Sequence, residues 1–377
     1  MIRILAFGNY RSLRELRLSL GQLTVITGGN GAGKSNVYRG LRLLVDAMEG
    51  QLGRAVAREG GMPSVLWAGA PSKGSPKSEG VRLSIGFADD AMAYELRLGL
   101  PPPSGRGGPP SAFDFDPRVA EETIRTVESP RVNLLERRNM SAMLRDHEGH
   151  AVSFGATIEP SESVLSQLAE PHRYPVLSML RERLRCWRFY HQIRTDADSP
   201  VRAMQIGTRT PVLAHDGHDL AAALQTILEI GNPAALAAAV DEAFDGATLD
   251  VLAQGARFWV ELRTPGVLRA FAAAELSDGT LRYLALLAAL HTPRPPELLV
   301  LNEPETSLHP RVLVPLARQI VAAAARSQVI VVSHAAPLVD AISDAQGAQR
   351  IELVKENGAT VVAGRSRLDE PSWKWTK

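Results

Sequence analysis

The run Leu23–Thr27 (LTVIT) stops at a glycine pair that opens the string GGNGAGKS, Gly28 to Ser35. A helical pattern from Lys34 to about Ala47 follows at once, with Val37, Leu41, Leu44 and Val45 on one face. Strand, glycine-rich loop and helix in that order leave the chain little choice of fold class. Successive glycines let backbone N–H groups curl around a small concavity, and the helix turns its unpaired N-terminal amides on the same point. The spacing satisfies GxxxxGK[ST], so Lys34 can reach the β- and γ-phosphates of a nucleotide and the Ser35 hydroxyl can ligate Mg2+. A plain glycine turn before a helix needs neither the lysine nor the hydroxyl. Gly28, Gly29, Asn30, Gly31, Ala32, Gly33, Lys34, Ser35 and Asn36 are the candidate nucleotide contacts.

The C-terminal third repeats the α/β alternation: a helix at Thr280–Leu290, a strand at Leu298–Leu301, a helix at Val312–Ala325 and a strand at Gln328–Val332. Such alternation predicts a parallel sheet covered on both faces. The first of these strands ends in Asn302 and Glu303, which puts a carboxylate at the carboxyl edge of the sheet, where open α/β sheets bind ligands. Glu303 is the candidate base for a water. Ser277, Asp278, Gly279 and Thr280 open an apolar helix and form a second anion-ready surface, although taken alone they are better explained by a simple N-cap by Ser277 or Asp278. Ser333-His334 closes the strand VIVVSH, and a histidine there can face the same edge.

The rest of the chain is less distinctive. Val81–Leu100 alternates around Asp89-Asp90 as an antiparallel hairpin, and GLPPPSGRGGPPS (Gly99–Ser111) reads as a mobile loop because prolines remove donors and glycines add chain entropy. More strands are expected over Arg131–Phe154 with a turn at His147–Gly149. Helices are expected over Glu162–Arg185, a buried strand at Cys186–Gln192, and helices at Asp219–Ile230 and Ala234–Phe244. The 377 residues are 45% hydrophobic and 22% charged with a net charge of +1, which suits a globular chain and gives no generic adhesion to nucleic acid or membrane. A lone cysteine, Cys186, excludes an intrachain disulfide framework and suits a reducing compartment. With no signal-like start and no uninterrupted apolar span, the expected location is the cytoplasm, away from membrane.

The ordered set GGNGAGKS, ELSDGT, LLVLNEPETSLHP and VIVVSH resembles the ABC-type P-loop ATPases, in particular RecF-like and SMC-like heads and stand-alone bacterial ATPases of the AAA_21 kind. NYRSLRELRLSLGQLTVITGGNGAGKSN, WRFYHQIRTDADSP and Glu275–Pro310 carry the same resemblance, so it covers most of the chain. It implies an α/β P-loop NTPase head with a mainly parallel sheet, an antiparallel β side sheet, an α-helical lobe and no long coiled coil. Residues 1–98 and 186–377 would form the head and 99–185 a variable insert. It makes Gly28–Ser35 the Walker A loop, Ser277–Thr280 the signature loop, Glu303 the catalytic glutamate, His334 the switch histidine and Glu305–His309 the D-loop, with Lys34 acting on the phosphates. It also implies a glutamine at a strand end that meets Mg2+, for which Gln192 is the candidate. Two positions depart from the pattern. Asn302 stands where the Walker B aspartate is expected, keeping an oxygen for Mg2+-bound water but losing a charge, and Asp278 puts a carboxylate in the signature loop. A slow ATPase using ATP and Mg2+ is the expectation.

In that family the signature loop caps a partner's ATP, so one copy of each motif implies a homodimer. DNA is the first expected target, in repair, genome maintenance or anti-phage defence. Arg181, Arg183, Arg185, Arg188 and Arg194 interleave with aromatic residues in a way that can suit nucleic acid. A regulatory ATPase acting on a protein effector is the alternative, and a transporter engine or an intrinsic nuclease is disfavoured. Trp373 and Trp375 read as packing of the terminus on the body.

Overall fold

Asp89 begins the turn that folds Leu83–Asp89 back onto Met92–Gly99. In the computed structural model, which describes residues 1–69, 82–100, 112–129, 132–155, 157–366 and 369–376, its Oδ1 accepts the N–H groups of Ala91 and Met92 at 2.8 and 2.7 Å. The alternating run thus becomes a hairpin with Ala88 opposite Ala93. Of the loop expected over Gly99–Ser111, Gly99 ends a strand and residues 101–111 lie outside the described residues.

The chain divides into two units, Met1–Gly21 with Gly28–Trp187 and Ile351–Lys377, and Gln22–Thr27 with Arg188–Arg350. In the first, eight antiparallel strands follow the order Leu13–Ser19, Ile2–Tyr10, Leu83–Asp89, Met92–Gly99, Arg118–Thr126, Asn133–Arg138, Ser141–Arg145 and Ala151–Ser153. The antiparallel sheet expected as a side element is therefore an extensive one. The helix Lys34–Met48 buries Val37, Leu41, Leu44 and Val45 as its periodicity requires. It approaches the sheet closely at Gly40, where a Cβ would lie 2.3 Å from the Phe7 ring. Glu122, on the strand Arg118–Thr126, is fully buried: it accepts hydrogen bonds from Tyr94 Oη (3.1 Å), Ser163 Oγ and Val164 N (2.8 Å). The tail returns to this sheet too. Trp373 packs among Ala6, Ala88 and Ala93, and Gly86 leaves room for its ring.

The second unit holds four strands in parallel, in the order Arg188–Tyr190, Leu298–Asn302, Gln328–Val332 and Leu23–Gly28. Every residue of Leu298–Asn302 and Gln328–Val332 is buried, as two-sided cover demands. Helices Leu220–Ile230, Pro233–Ala243, Asp278–Leu290, Leu313–Ala324 and Ala336–Ser343 contribute to one apolar core with these strands. The antiparallel strands Gln205–Ile206, Arg257–Arg263 and Thr248–Gln254 form a smaller sheet, with Phe271–Ala272 paired to Arg257–Arg263. Both sheet types are present, so the fold is mixed α/β. Among the described residues no helix is longer than the 15 residues of Lys34–Met48, and none is long and apolar enough to cross a membrane.

Candidate functional site

The glycine loop has a packed side and an open side. A Cβ on Gly28, at φ 146°, would lie 2.2 Å from the Leu353 carbonyl oxygen. One on Gly33, at φ 98°, would lie 2.2 Å from Thr360 Oγ1 and 2.7 Å from Ser12 Oγ, so both positions require glycine twice over, for conformation and for space. Thr360 Oγ1 donates to the Ala32 carbonyl at 2.8 Å and lies 2.7 Å from Ser12 Oγ, which also accepts Asn36 Nδ2 at 3.0 Å. Asn36, expected to touch nucleotide, is thus engaged in the loop's buttress. On the other side, nothing lies within 4 Å of a Cβ on Gly29 or Gly31.

Lys34, only 5% exposed, donates from Nζ to the carbonyls of Gly28 (2.8 Å) and Gly29 (3.0 Å). The helix it begins has Gly33 as N-cap, no side-chain cap and no acidic residue in its first turn, where Ser35 stands half-buried. An uncapped helix N-terminus, an ammonium held on the loop and two open glycines fit an oxyanion of the triphosphate kind.

In the second unit three strand ends lie level. Asn302 is paired with Val332 and Val332 with Ile26, and the chain leaves this edge at Thr27 to begin the glycine loop. Asn302 is 1% exposed. Its Nδ2 donates to His191 Nδ1 at 2.8 Å, and its Oδ1 is buried with no hydrogen-bond partner among the described residues. An unsatisfied buried oxygen fits water held by a cation, the role the resemblance assigns it. His191, and not its exposed neighbour Gln192, is the residue joined to Asn302.

Glu303 occupies the left-handed region at φ 50°. Its N–H donates to the Val332 carbonyl (2.7 Å) and its carbonyl accepts Arg282 Nη2 (3.1 Å), which also donates to the His191 carbonyl (2.8 Å). A non-glycine residue held there from both sides is strain retained at a strand exit. Burial pulls the Arg282 guanidinium below its ordinary value, against the opposing charges of Glu305 and Glu303. Two residues on, Glu305 Oε1 accepts Ser333 Oγ (2.8 Å) and the His334 N–H (3.0 Å) and lies 3.2 Å from His334 Nδ1.

Ser277 caps the helix Asp278–Leu290 by accepting the Thr280 N–H at 3.1 Å, and its Oγ lies 2.8 Å from Thr280 Oγ1. A Cβ on Gly279 would lie 2.5 Å from the Ser307 carbonyl oxygen. Asp278, the carboxylate that departs from the signature pattern, is paired with Arg202 at 2.6 Å, and Arg202 Nη1 also reaches the Leu276 carbonyl at 2.8 Å. Motif reading gave no role to Arg202, His191, Arg282 or Thr360 and named Glu305 only as the start of the D-loop. His191 and Arg282 lie inside stretches that carry the resemblance, WRFYHQIRTDADSP and Glu275–Pro310.

The arginine and aromatic stretch is largely used within the chain. Arg183 pairs with Asp89 (3.0 Å), Arg185 with Glu182 (3.4 Å) and Arg194 with Asp196 (2.9 Å), while Arg181 reaches Glu182 (3.3 Å) and the Leu168 carbonyl. Trp187, Phe189 and Tyr190 are buried and offer no face for base stacking. Asp146, Glu148 and His150 gather on one exposed turn, a grouping the sequence reading passed over. Asp146 already accepts the backbone N–H groups of Glu148 (3.0 Å) and His150 (2.8 Å).

With this geometry in view, the comparisons with known proteins agree on kind. Over residues 23–142 and 153–340 the sequence matches the AAA_21 family, described as "AAA domain, putative AbiEii toxin, Type IV TA system". No curated protein matches it. Among solved structures, the Smc head domain with a coiled coil and joint from Pyrococcus yayanosii aligns with a TM-score of 0.53 at 11% identity, covering 97% of both chains. An Smc head bound to the C-terminal winged-helix domain of ScpA gives 0.52 at 14%, covering 97% of this chain and 98% of that one. The Smc head with an extended coiled coil bound to the C-terminal domain of ScpA from Pyrococcus furiosus gives 0.50 at 13%, covering 96% and 95%. At these identities the likeness is one of fold. The family match over most of the sequence makes this chain a member of the AAA_21 family, with a fold like that of the Smc head domains.

Proposed function

We propose that the chain binds ATP with Mg2+ on Gly28–Ser35 and hydrolyses it slowly, with Glu303 as the base that activates water. ATP supplies the phosphoryl bond and Mg2+ the charge that steadies it. The chain's own work is positional: Lys34 would exchange its bonds to Gly28 and Gly29 for phosphate oxygens, the Ser35 hydroxyl would hold the metal, the Asn302 oxygen would hold the metal's water, and Glu303 would take a proton from the attacking water. The observation that carries the hydrolytic reading is Glu303 itself, a carboxylate at the end of a buried parallel strand with its backbone held at φ 50° by Val332 and Arg282.

Ser277–Thr280 would cap the ATP of a second copy, so the working form is a homodimer that closes on ATP and loosens after hydrolysis. The Arg202 pairing offsets the charge of Asp278, which supports that role. For the target of the cycle, a protein effector is the better-supported reading than DNA. The basic stretch that favoured DNA is largely paired internally, its aromatics are buried, and two of the similar heads are described as bound to a domain of another protein.

Lys34→Ala should abolish tight ATP binding. DNA affinity measured at low salt with and without ATP separates the two targets: no ATP dependence and only nonspecific affinity favours the effector, whereas ATP-dependent tight binding restores DNA.

A further inference from the structure

We propose that Arg282 is the positioning residue of Glu303: one guanidinium nitrogen on the helix Asp278–Leu290 holds the carbonyl of the water-activating residue. The base thereby answers to the helix whose first turn would cap a partner's ATP. The catalytic meaning of this contact rests on the ATPase reading, but its geometry does not.

Every residue of this helix from Leu281 to Leu290 is buried, and all of them but Arg282 are leucine, alanine or tyrosine. Arg282 is a cation 7% exposed in that apolar row. A leucine or methionine would pack there without desolvating a charge, so packing alone gives no reason for the guanidinium. Its Nε is buried with no hydrogen-bond partner among the described residues, a further cost that an apolar side chain avoids. What the charge does is bridge two strand exits. Nη2 donates to the His191 carbonyl at 2.8 Å and to the Glu303 carbonyl at 3.1 Å, one hydrogen to each.

Glu303 depends on that bond more than a residue in ordinary backbone would. It stands at φ 50°, which an L side chain adopts only when its surroundings impose it, and its N–H is tied to the Val332 carbonyl at 2.7 Å. Val332 on one side and Arg282 on the other thus hold both peptide planes that meet at the Glu303 Cα, and with them the direction in which the carboxylate leaves the chain. The same helix grips the His191 exit a second time, from its start. Asp278 accepts Arg202 Nη2 at 2.6 Å, and Arg202 Nε donates to the Thr195 carbonyl at 2.8 Å. The His191 ring meets Asn302 Nδ2 at 2.8 Å. A shift of the helix start therefore reaches Glu303 through a short, buried and hydrogen-bonded path.

The test compares Arg282→Met, which suits the apolar row but donates nothing, with Arg282→Lys, which keeps the charge and the donors. Arg282→Met should melt close to wild type and bind ATP with the same affinity. Its turnover should fall about 100-fold, the scale for misplacing a reacting group by about 1 Å, with the loss in kcat and not in KM. Arg282→Lys should recover part of the rate. Turnover of Arg282→Met equal to wild type, or a loss confined to KM, overturns the proposal. A second readout needs neither turnover nor the folding of Arg282→Met: the guanidinium region of an NMR spectrum of arginine-labelled protein. With both Nη2 hydrogens bonded, rotation of that group is slow, and two separate Nη2 proton signals should appear in the wild type and vanish in Arg282→Lys. A single averaged signal for Arg282 in the wild type overturns the proposal. Absence of turnover in the wild type would count against the ATPase reading and leave the guanidinium signals standing.

Discussion

Substituting Gly33 by alanine probes the buttress behind the phosphate loop and can be worked out atom by atom. The new methyl would sit 2.2 Å from Thr360 Oγ1 and 2.7 Å from Ser12 Oγ, on a backbone at φ 98°. The backbone strain alone costs about 1–3 kcal/mol. Relieving the clash means turning both hydroxyls away, which forfeits Ser12–Thr360, Thr360–Ala32 and Asn36–Ser12, at roughly 1 kcal/mol for each hydrogen bond. The sum, about 4–6 kcal/mol, is comparable to the whole stability of many domains. Thermal melting of Gly33→Ala, Thr360→Ala and the double variant measures it. Thr360→Ala alone should lose about 2 kcal/mol, for its two hydrogen bonds. The double variant should be less destabilised than the sum of the singles by at least about 1 kcal/mol, because removing Oγ1 opens the space the methyl needs. Strict additivity, or a cost for Gly33→Ala below about 0.5 kcal/mol, the level of a neutral surface change, would refute the reasoning.

Two further perturbations follow from buried or paired charges. Burial pushes the Glu122 carboxyl up, against the opposing hydrogen bonds of Ser163 and Val164. The folded state therefore keeps a proton that the unfolded chain has already lost, and stability is drawn down as pH rises through that interval. Glu122→Gln has no such proton, so its melting temperature relative to wild type should rise as pH climbs above the ordinary carboxylate value, and a pH-independent difference would contradict the assignment. Arg202→Ala removes the partner of Asp278 and a cap on the Leu276 carbonyl. ATP-driven self-association should weaken, with partial recovery on adding Asp278→Asn; equal association of Arg202→Ala and wild type, read by light scattering, would show that Asp278 lies away from the nucleotide.

What could be read beforehand was chemistry packed into contiguous residues. GGNGAGKS carries its strand, turn and helix within one short stretch, and Leu298–Glu303 announces a buried strand with a carboxylate at its end. What escaped was assembled across the chain. Ser12 and Thr360 are 348 positions apart, and nothing local marks either as the wall behind Gly33. His191 looked like a neighbour of Gln192, yet it is His191 whose ring meets Asn302 Nδ2. The strand Arg118–Thr126 hides because its Glu122 is a buried polar residue, which breaks the apolar pattern of a core strand. One omission was avoidable: Asn357-Gly358, at φ 50° and 82°, turns the hairpin between Ala348–Glu356 and Ala359–Val362, and Asn-Gly is the strongest short hairpin signal.

The central claim is that Glu303 activates water on an ATP that also joins two copies of the chain. Glu303→Gln keeps the size and the backbone bonds to Val332 and Arg282 while removing the base. ATP turnover and solution mass measured together on this variant, with Mg2+ present, test the claim most directly. The account predicts ATP bound, turnover lost and mass doubled; turnover equal to wild type, or a monomer with ATP bound, would contradict it.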